Sequence, residues 1–290
     1  VREQCYPEWK LYIVCTLEIA EKVISQNKDL VDNSKLDIIV RDVKEETSEI
    51  TFQGKEFIIF IRAGDVLRPY ALFEIAQRLN IKRDIDILYA DHDYLLSDGK
   101  RVDPFFKPDW SPDLFLGMNY IGNFYTIKKS LYDRIGGLRY QFTPHELYDL
   151  LLRSVEESQC IDHISKVLYS TRKETILSDL PDTLQKVLGS AMERRGTEAE
   201  ILPINSNGNQ LRIKYRICGM PKVSIIILTA LKKSPSSDGE FYIEKCLKSV
   251  VNQTSYSNYE VIIVDNSEEG LKESEVKGWL YKRTPYNILR

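Results

Sequence analysis

Apolar positions along the 290-residue chain recur with two different periods, and stretches of each alternate. The runs KLYIV (10–14), LDIIV (36–40), FIIFI (57–61) and DIDILYA (84–90) are strand-sized and nearly continuous, the pattern of buried strands. Between them the period lengthens to that of a helix, at Leu17–Gln26 and at ALFEIAQRL behind Pro69, a residue that the first helical turn tolerates. Residues 91–125 follow neither period. They are rich in proline, aspartate and aromatics, which predicts a long ordered loop of the kind that carries function. Glu146–Glu156 predicts a helix with Leu147, Leu150, Leu151 and Val155 on one face. Residues 181–195 predict another, with Leu184, Val187, Leu188, Ala191 and Met192 at helical spacing, Pro181 opening it and Gly196 closing it. AEILPI and QLRIKYRI flank SNGN as the arms of a hairpin. Beyond Pro221 the pattern starts afresh: strand VSIIIL, helix Phe241–Val251, strand YEVIIVD. Alternation of this sort predicts an α/β fold, a sheet flanked by helices followed by the βαβ start of a second, similar domain.

The restart echoes the beginning. NQTSYSNYEVIIVDN (252–266) and EQCYPEWKLYIVCT (3–16) share a glutamine, a tyrosine two or three residues on, an aromatic, a charged or polar residue and an aliphatic strand. One module therefore occurs twice, each copy incomplete, with expected segments 1–175, 176–220 (a helix and hairpin connector) and 221–290. The 40 basic and 43 acidic residues are mixed along the chain for a net charge of −3, which argues against a nucleic-acid partner. Five cysteines are scattered without a CxxC pair, against a disulfide framework or structural zinc and in favour of a reducing setting. No apolar run approaches the length of a membrane span and none reads as a signal peptide, so the expected location is cytoplasmic, with at most peripheral contact with the inner face of a membrane.

The run YADHDYLLSDGKRVDPFFKPDWSPDLFLGMNYIGNFY (89–125), followed by RIGGLR (134–139), resembles family-2 glycosyltransferases that build bacterial surface polysaccharides. KPDWSPD and the IGG turn carry the resemblance most strongly. The linking segment SAMERRGTEAEIL…LRIKYRI…PKVSIII resembles the connector between tandem domains, so the chain reads as the rear of one transferase domain and the front of a second. The resemblance implies a GT-A, Rossmann-like mixed sheet and transfer of a sugar from a nucleoside diphosphate sugar to a glycan acceptor. It also implies manganese or magnesium held by an acidic cluster against the diphosphate, and a carboxylate base at a helix start for the acceptor hydroxyl.

This sequence departs from that pattern at four places. Cys15-Thr16 stands where two aspartates should follow the strand, and Arg62-Ala63-Gly64 stands in the metal cluster, leaving only Asp65 as a vestigial ligand. The expected Asp of the base motif is Leu147, on the apolar face, with Glu146 one step of about 100° round the helix and Asp149 two beyond Leu147. The stretch between Val40 and Phe57 lacks an Asn-Gly-Gly segment. The expectation is a transferase whose first-domain donor, metal and base motifs are degraded; the alternative is a non-catalytic module that binds a glycan or a partner.

Other readings stay open. Arg62 either marks a lost site or itself neutralises a diphosphate, since its planar fork suits phosphate oxygens. Asp91 and Asp93 either line the acceptor side or hydrogen-bond a loop. Trp110 either stacks on a sugar, with Asp109 and Asp113 taking its hydroxyls, or plugs a proline-rich loop. Asn119 is a candidate sugar contact in the NYIG turn. Asp265, matching the family's nucleotide-binding carboxylate, either contacts a nucleotide or caps the turn after its strand. His92, His145 and His163 read as structural.

Overall fold

The computed structural model describes residues 1–40, 52, 54–172, 181–204, 211–235, 239–268, 270–279 and 286–289. The SNGN turn and nearly all of the segment between Val40 and Phe57 lie outside them. The chain divides into two compact units, Val1–Tyr215 and Arg216–Arg290.

In the first unit the described elements run β1 (Leu11–Cys15), α1 (Leu17–Gln26), α2 (Lys28–Asp32), β2 (Leu36–Val40), β3 (Phe57–Ile59), β4 (Val66–Leu67), α3 (Ala71–Ile81), β5 (Ile87–Leu95), β6 (Arg101–Phe105), α4 (Pro112–Gly117), β7 (Tyr125–Lys128), α5 (Lys129–Arg134), α6 (Glu146–Glu157), β8 (Ile161–Arg172), α7 (Pro181–Arg194), β9 (Ala199–Pro203) and β10 (Leu211–Tyr215). The main sheet has the order β3-β7-β5-β8-β4, with β6 paired to the far end of β5. β5 runs parallel to β8 and antiparallel to β7 and β6, so the sheet is mixed. β1 and β2 form a separate parallel pair, and β9 and β10 an antiparallel one.

Strand β5 sits between two cores. Strand side chains alternate between faces. Ile87 and Tyr89 accordingly enter one apolar cluster with Leu147, Leu150 and Leu151 of α6 and Val187, Leu188, Ala191 and Met192 of α7. Leu88 and Ala90 enter the other, against Ala71, Leu72 and Ile75 of α3. Helices thus cover both faces, and the expected mixed α/β sheet flanked by helices is what the chain forms. The helix and hairpin of 181–215 group with the first unit, and Leu211 shares the α6–α7 core.

Two features differ from the sequence reading. Residues 91–105 are not loop: β5 continues to Leu95 and turns back as β6. The twelve-residue strand β8 was not anticipated, because its pairing slips. Ala90 faces Ile164 but Asp91 faces Val167, so Ser165 and Lys166 bulge out and break the apolar alternation.

The second unit comprises β11 (Val223–Thr229), α8 (Tyr242–Gln253), β12 (Tyr259–Asp265), α9 (Glu273–Trp279) and β13 (Tyr286–Leu289), with order β11-β12-β13, all parallel. Ile243, Leu247 and Val251 of α8 pack on Val261 and Ile263 of β12. β12 and β13, joined through α9, and β1 and β2, joined through α1 and α2, are both parallel strand pairs, with Asp265 ending β12 and Cys15 ending β1.

Leu150 is fully buried between α6, α7 and the sheet. Its truncation to alanine is expected to lower stability by about 2–5 kcal/mol in urea unfolding, whereas Leu114→Ala, at a 42% exposed position, changes it by roughly 0.5 kcal/mol or less.

Candidate functional site at the ends of β3 and β5

Strand β3 leaves the sheet at Phe60, and the chain then closes a tight turn. The Asp65 amide donates to the Arg62 carbonyl at 3.1 Å, and Asp65 Oδ2 accepts from the Arg62 amide at 3.3 Å. Gly64 holds a φ of +99°, which a side chain disfavours. A Cβ there would also lie 3.3 Å from the Arg172 side chain, whose Nε donates to the Gly64 carbonyl. Asp65 therefore stabilises the turn. Burial pushes its carboxyl above the usual carboxylate range, against the opposing hydrogen bonds from Thr171 and the Arg62 amide.

The Arg62 guanidinium is braced by neutral acceptors. With the Asn123 amide assigned by its hydrogen bonds, its oxygen accepts from Arg62 Nε at 3.0 Å and Nη1 at 3.2 Å. Nη2 donates to the Pro144 carbonyl at 3.4 Å. The guanidinium is half-buried and forms no ion pair among the described residues.

The acidic residues of β5 are both turned inward. Asp93 is held by Arg68 at 2.7 Å and by the Ser170 hydroxyl. Asp91, 2% exposed, accepts the Lys107 amide at 2.9 Å and faces His163 Nε2 at 2.8 Å. Between them His92 is buried with Nδ1 unpartnered among the described residues, and burial pushes its pKa down to about 3, so the ring is neutral.

KPDWSPD is stitched to the sheet one residue at a time. The Lys107 amide binds Asp91, the Pro108 carbonyl accepts from Tyr89 at 2.7 Å, and Asp109 reaches His163 Nδ1 at 3.2 Å while remaining 94% exposed. His163 also stacks on Tyr89, centroids 4.7 Å apart. Trp110 packs on Phe115 at 5.3 Å and on the α6 core, the arrangement of a loop plug. Asn119 accepts the Gly122 amide at 3.1 Å within its own turn. Gly122, at φ +77°, passes so close to β8 that a Cβ would sit 3.2 Å from the Tyr169 hydroxyl.

Beneath this turn lies a group that the sequence reading passed over. Lys107 is 6% exposed, and its ammonium donates to the Ile121 carbonyl at 2.6 Å and to Tyr169 Oη at 3.2 Å. Burial pushes its pKa down to about 7, opposed by the nearby Asp91 charge. Arg68, Asn123 and His163 were likewise not singled out as site residues. Their partners lie 25 to 72 positions away in sequence, those of His163 on two different elements, and no local pattern announces them.

At the start of α6, Leu147 packs into the core and Glu146 points elsewhere, as the helical step requires. Glu146 Oε2 is buried without a hydrogen-bond partner among the described residues. Asp149 is wholly buried, its carboxylate gripped by Arg139 and Arg153. Both oxygens are occupied and neither faces solvent, so it holds the helix to the 134–139 turn. In the second unit Asp265 Oδ1 accepts from the Ser267 amide and hydroxyl at 3.0 and 2.6 Å, and Oδ2 from the Leu271 amide at 2.6 Å, so it organises the loop after β12.

A divalent metal, implied by the resemblance, does not fit these residues. The strand tip presents a guanidinium where carboxylates would be needed. Asp65 serves its own turn, and Asp91 and Asp93 are engaged by His163, the Lys107 amide, Arg68 and Ser170. Among the described residues no group of three or more His, Cys, Asp or Glu is arranged to hold a metal ion, and no helix is long and apolar enough to cross a membrane.

No family model matches the chain. It is 31% identical over 284 residues to the O-antigen biosynthesis protein RfbC of Myxococcus xanthus, across 92% of this chain and 21% of that protein. It is 29% identical over 297 residues to the uncharacterized protein y4gI of Sinorhizobium fredii, across 96% of this chain and 31% of that protein. The chain thus spans less than a third of the length of either relative. Among solved structures, S. aureus TarS 1–349 in complex with UDP overlaps 66% of this chain and 58% of its own, with a TM-score of 0.47 and 13% identity. A mycobacterial protein overlaps 72% of this chain and 84% of its own, with a TM-score of 0.35 and 10% identity. Overlaps this loose carry no weight.

The Lys107 amine has a thermodynamic signature. In the unfolded chain it keeps its proton to a pH of about 10.4, in the folded chain only to about 7. Between those values the unfolded state binds more protons, so this group makes stability rise with pH, by at most about 1.4 kcal/mol per unit. Urea unfolding at pH 7 and pH 9 is expected to show wild type gaining about 2 kcal/mol over Lys107→Met; parallel behaviour of the two proteins contradicts the lowered pKa of the buried amine.

Proposed function

We propose that the chain is a sugar-transfer module of surface-polysaccharide biosynthesis, a GT-A-type unit of the family-2 kind that uses a nucleoside diphosphate sugar as donor and a glycan as acceptor. The reading is carried by the end of the sheet near β3 and α6. That end offers a guanidinium that forms no ion pair among the described residues, with only the field of Asp65 acting on it, and a carboxylate with one buried oxygen left unpartnered. Those are the two charges that glycosyl transfer requires, one for the departing diphosphate and one for the acceptor proton. The O-antigen biosynthesis name of the 31% identical relative points to the same process, as does the KPDWSPD resemblance.

In this reading the acceptor oxygen bonds to the anomeric carbon while the bond to the diphosphate breaks, and Glu146 takes the hydroxyl proton. Asp149 is excluded from that role by its two arginines, and Trp110 by its packing acts as loop support. Asp109, exposed beside the loop, remains available to an acceptor hydroxyl. A second reading, a non-catalytic glycan- or partner-binding module, is favoured by the inward commitment of Asp91, Asp93 and Asp265. Release of nucleoside diphosphate from a panel of nucleotide sugars, with bacterial surface glycan as acceptor, separates the two. Transfer predicts release that falls roughly 100-fold or more in Glu146→Gln. Glycan binding by folded protein without release supports the second reading.

A further inference from the structure

We propose that Arg62 is a built, metal-independent anchor for a diphosphate. The nucleoside part of the ligand rests on the sugar-transfer reading; the anion site rests on the geometry of the β3 tip. A guanidinium carries five N–H donors in a planar fork. Here three of them, on Nε, Nη1 and Nη2, go to an amide oxygen and a backbone carbonyl. Those acceptors are neutral and fix the plane of the group, and they leave two N–H groups uncommitted among the described residues. An arginine with a structural role at such a position would be expected to find a carboxylate, and one is close by. Asp65 lies three residues on and its charge acts on Arg62 through space, yet its Oδ2 takes the Arg62 backbone amide and forms no ion pair with the guanidinium. The other arginine near the acidic strand, Arg68, is spent on Asp93 at 2.7 Å.

The brace is itself anchored. Asn123 closes the turn whose Ile121 carbonyl accepts from the buried Lys107 ammonium and whose Gly122 amide is held by Asn119. Pro144, the third contact, stands two residues before Glu146. The cation thus binds a carbonyl two residues before the unpartnered carboxylate, on a support of fixed geometry. A bidentate guanidinium–phosphate contact supplies the counter-charge that a metal would otherwise bring, from a strand tip whose donors do not suit a metal.

Calorimetric titration of the whole chain with uridine diphosphate, in EDTA and again with manganese, tests this. The expected result is binding in EDTA that manganese leaves within twofold. Affinity should fall at least tenfold in Arg62→Ala, less in Arg62→Lys, which keeps the charge without the fork, and several-fold in Asn123→Ala, which removes the brace while leaving the arginine. Each variant is compared with wild type by thermal unfolding, so that lost affinity is read only from folded protein. Binding that appears only with manganese overturns the proposal and leaves the sugar-transfer reading standing. Metal-free binding that folded Arg62→Ala retains overturns it as well, placing the diphosphate elsewhere. Absence of binding in both conditions overturns the proposal and the sugar-transfer reading together.

Discussion

The buried amine of Lys107 is the point on which the end of the sheet depends. A buried amine is expensive to desolvate, and this one is retained with its backbone amide on Asp91 and its side chain on the Ile121 carbonyl and Tyr169. Through the first contact the KPD loop is docked on β5; through the second the 119–123 turn is docked on the loop. Asn123 in that turn braces Arg62, so a strand tip on one side of the sheet is positioned by a lysine more than forty residues further along the chain. The motif that looks in sequence like a sugar-binding signature is, in structure, first a fastening: Lys107, Pro108 and Asp109 each have a separate tie to β5 or β8.

The same physical distinction separates what was legible in the sequence from what was not. Leu17–Gln26, LDIIV and the helix at 181 follow local periodicity, and local periodicity is written in neighbouring residues. Strand β8 was hidden because a two-residue bulge shifts its alternation, and a bulge is set by the partner strand rather than by its own residues. The continuation of β5 through Asp91, His92 and Asp93 was hidden because a buried strand with three polar residues does not look buried. Each of those side chains lies beside a partner that the sequence gives no reason to expect, Arg68, His163 or Tyr169.

The site divides in the same way. That Leu147 belongs to the core and cannot serve as a base followed from the helical step alone. Glu146, displaced by that step, nonetheless keeps one buried oxygen without a hydrogen-bond partner among the described residues, which only the packing around it reveals. Asp149 and Asp265 read as acids at element ends, and both are consumed by contacts from residues close in sequence: Arg139 and Arg153 for the first, Ser267 and Leu271 for the second. Lys107 escaped notice because a lysine in a proline-rich loop is ordinarily at the surface. Charge type read from sequence says what chemistry a residue can do; whether the charge is spent inside the protein is decided by the fold.

Amide hydrogen exchange across residues 119–125 in wild type and Lys107→Met tests the central dependence most directly. The account predicts that loss of the Lys107 amine speeds exchange in the 119–123 turn, where the Gly122 amide donates to Asn119, while the α6 core keeps its protection. A folded Lys107→Met protein whose turn exchanges as slowly as wild type would contradict it, and the support of Arg62 would have to be sought elsewhere.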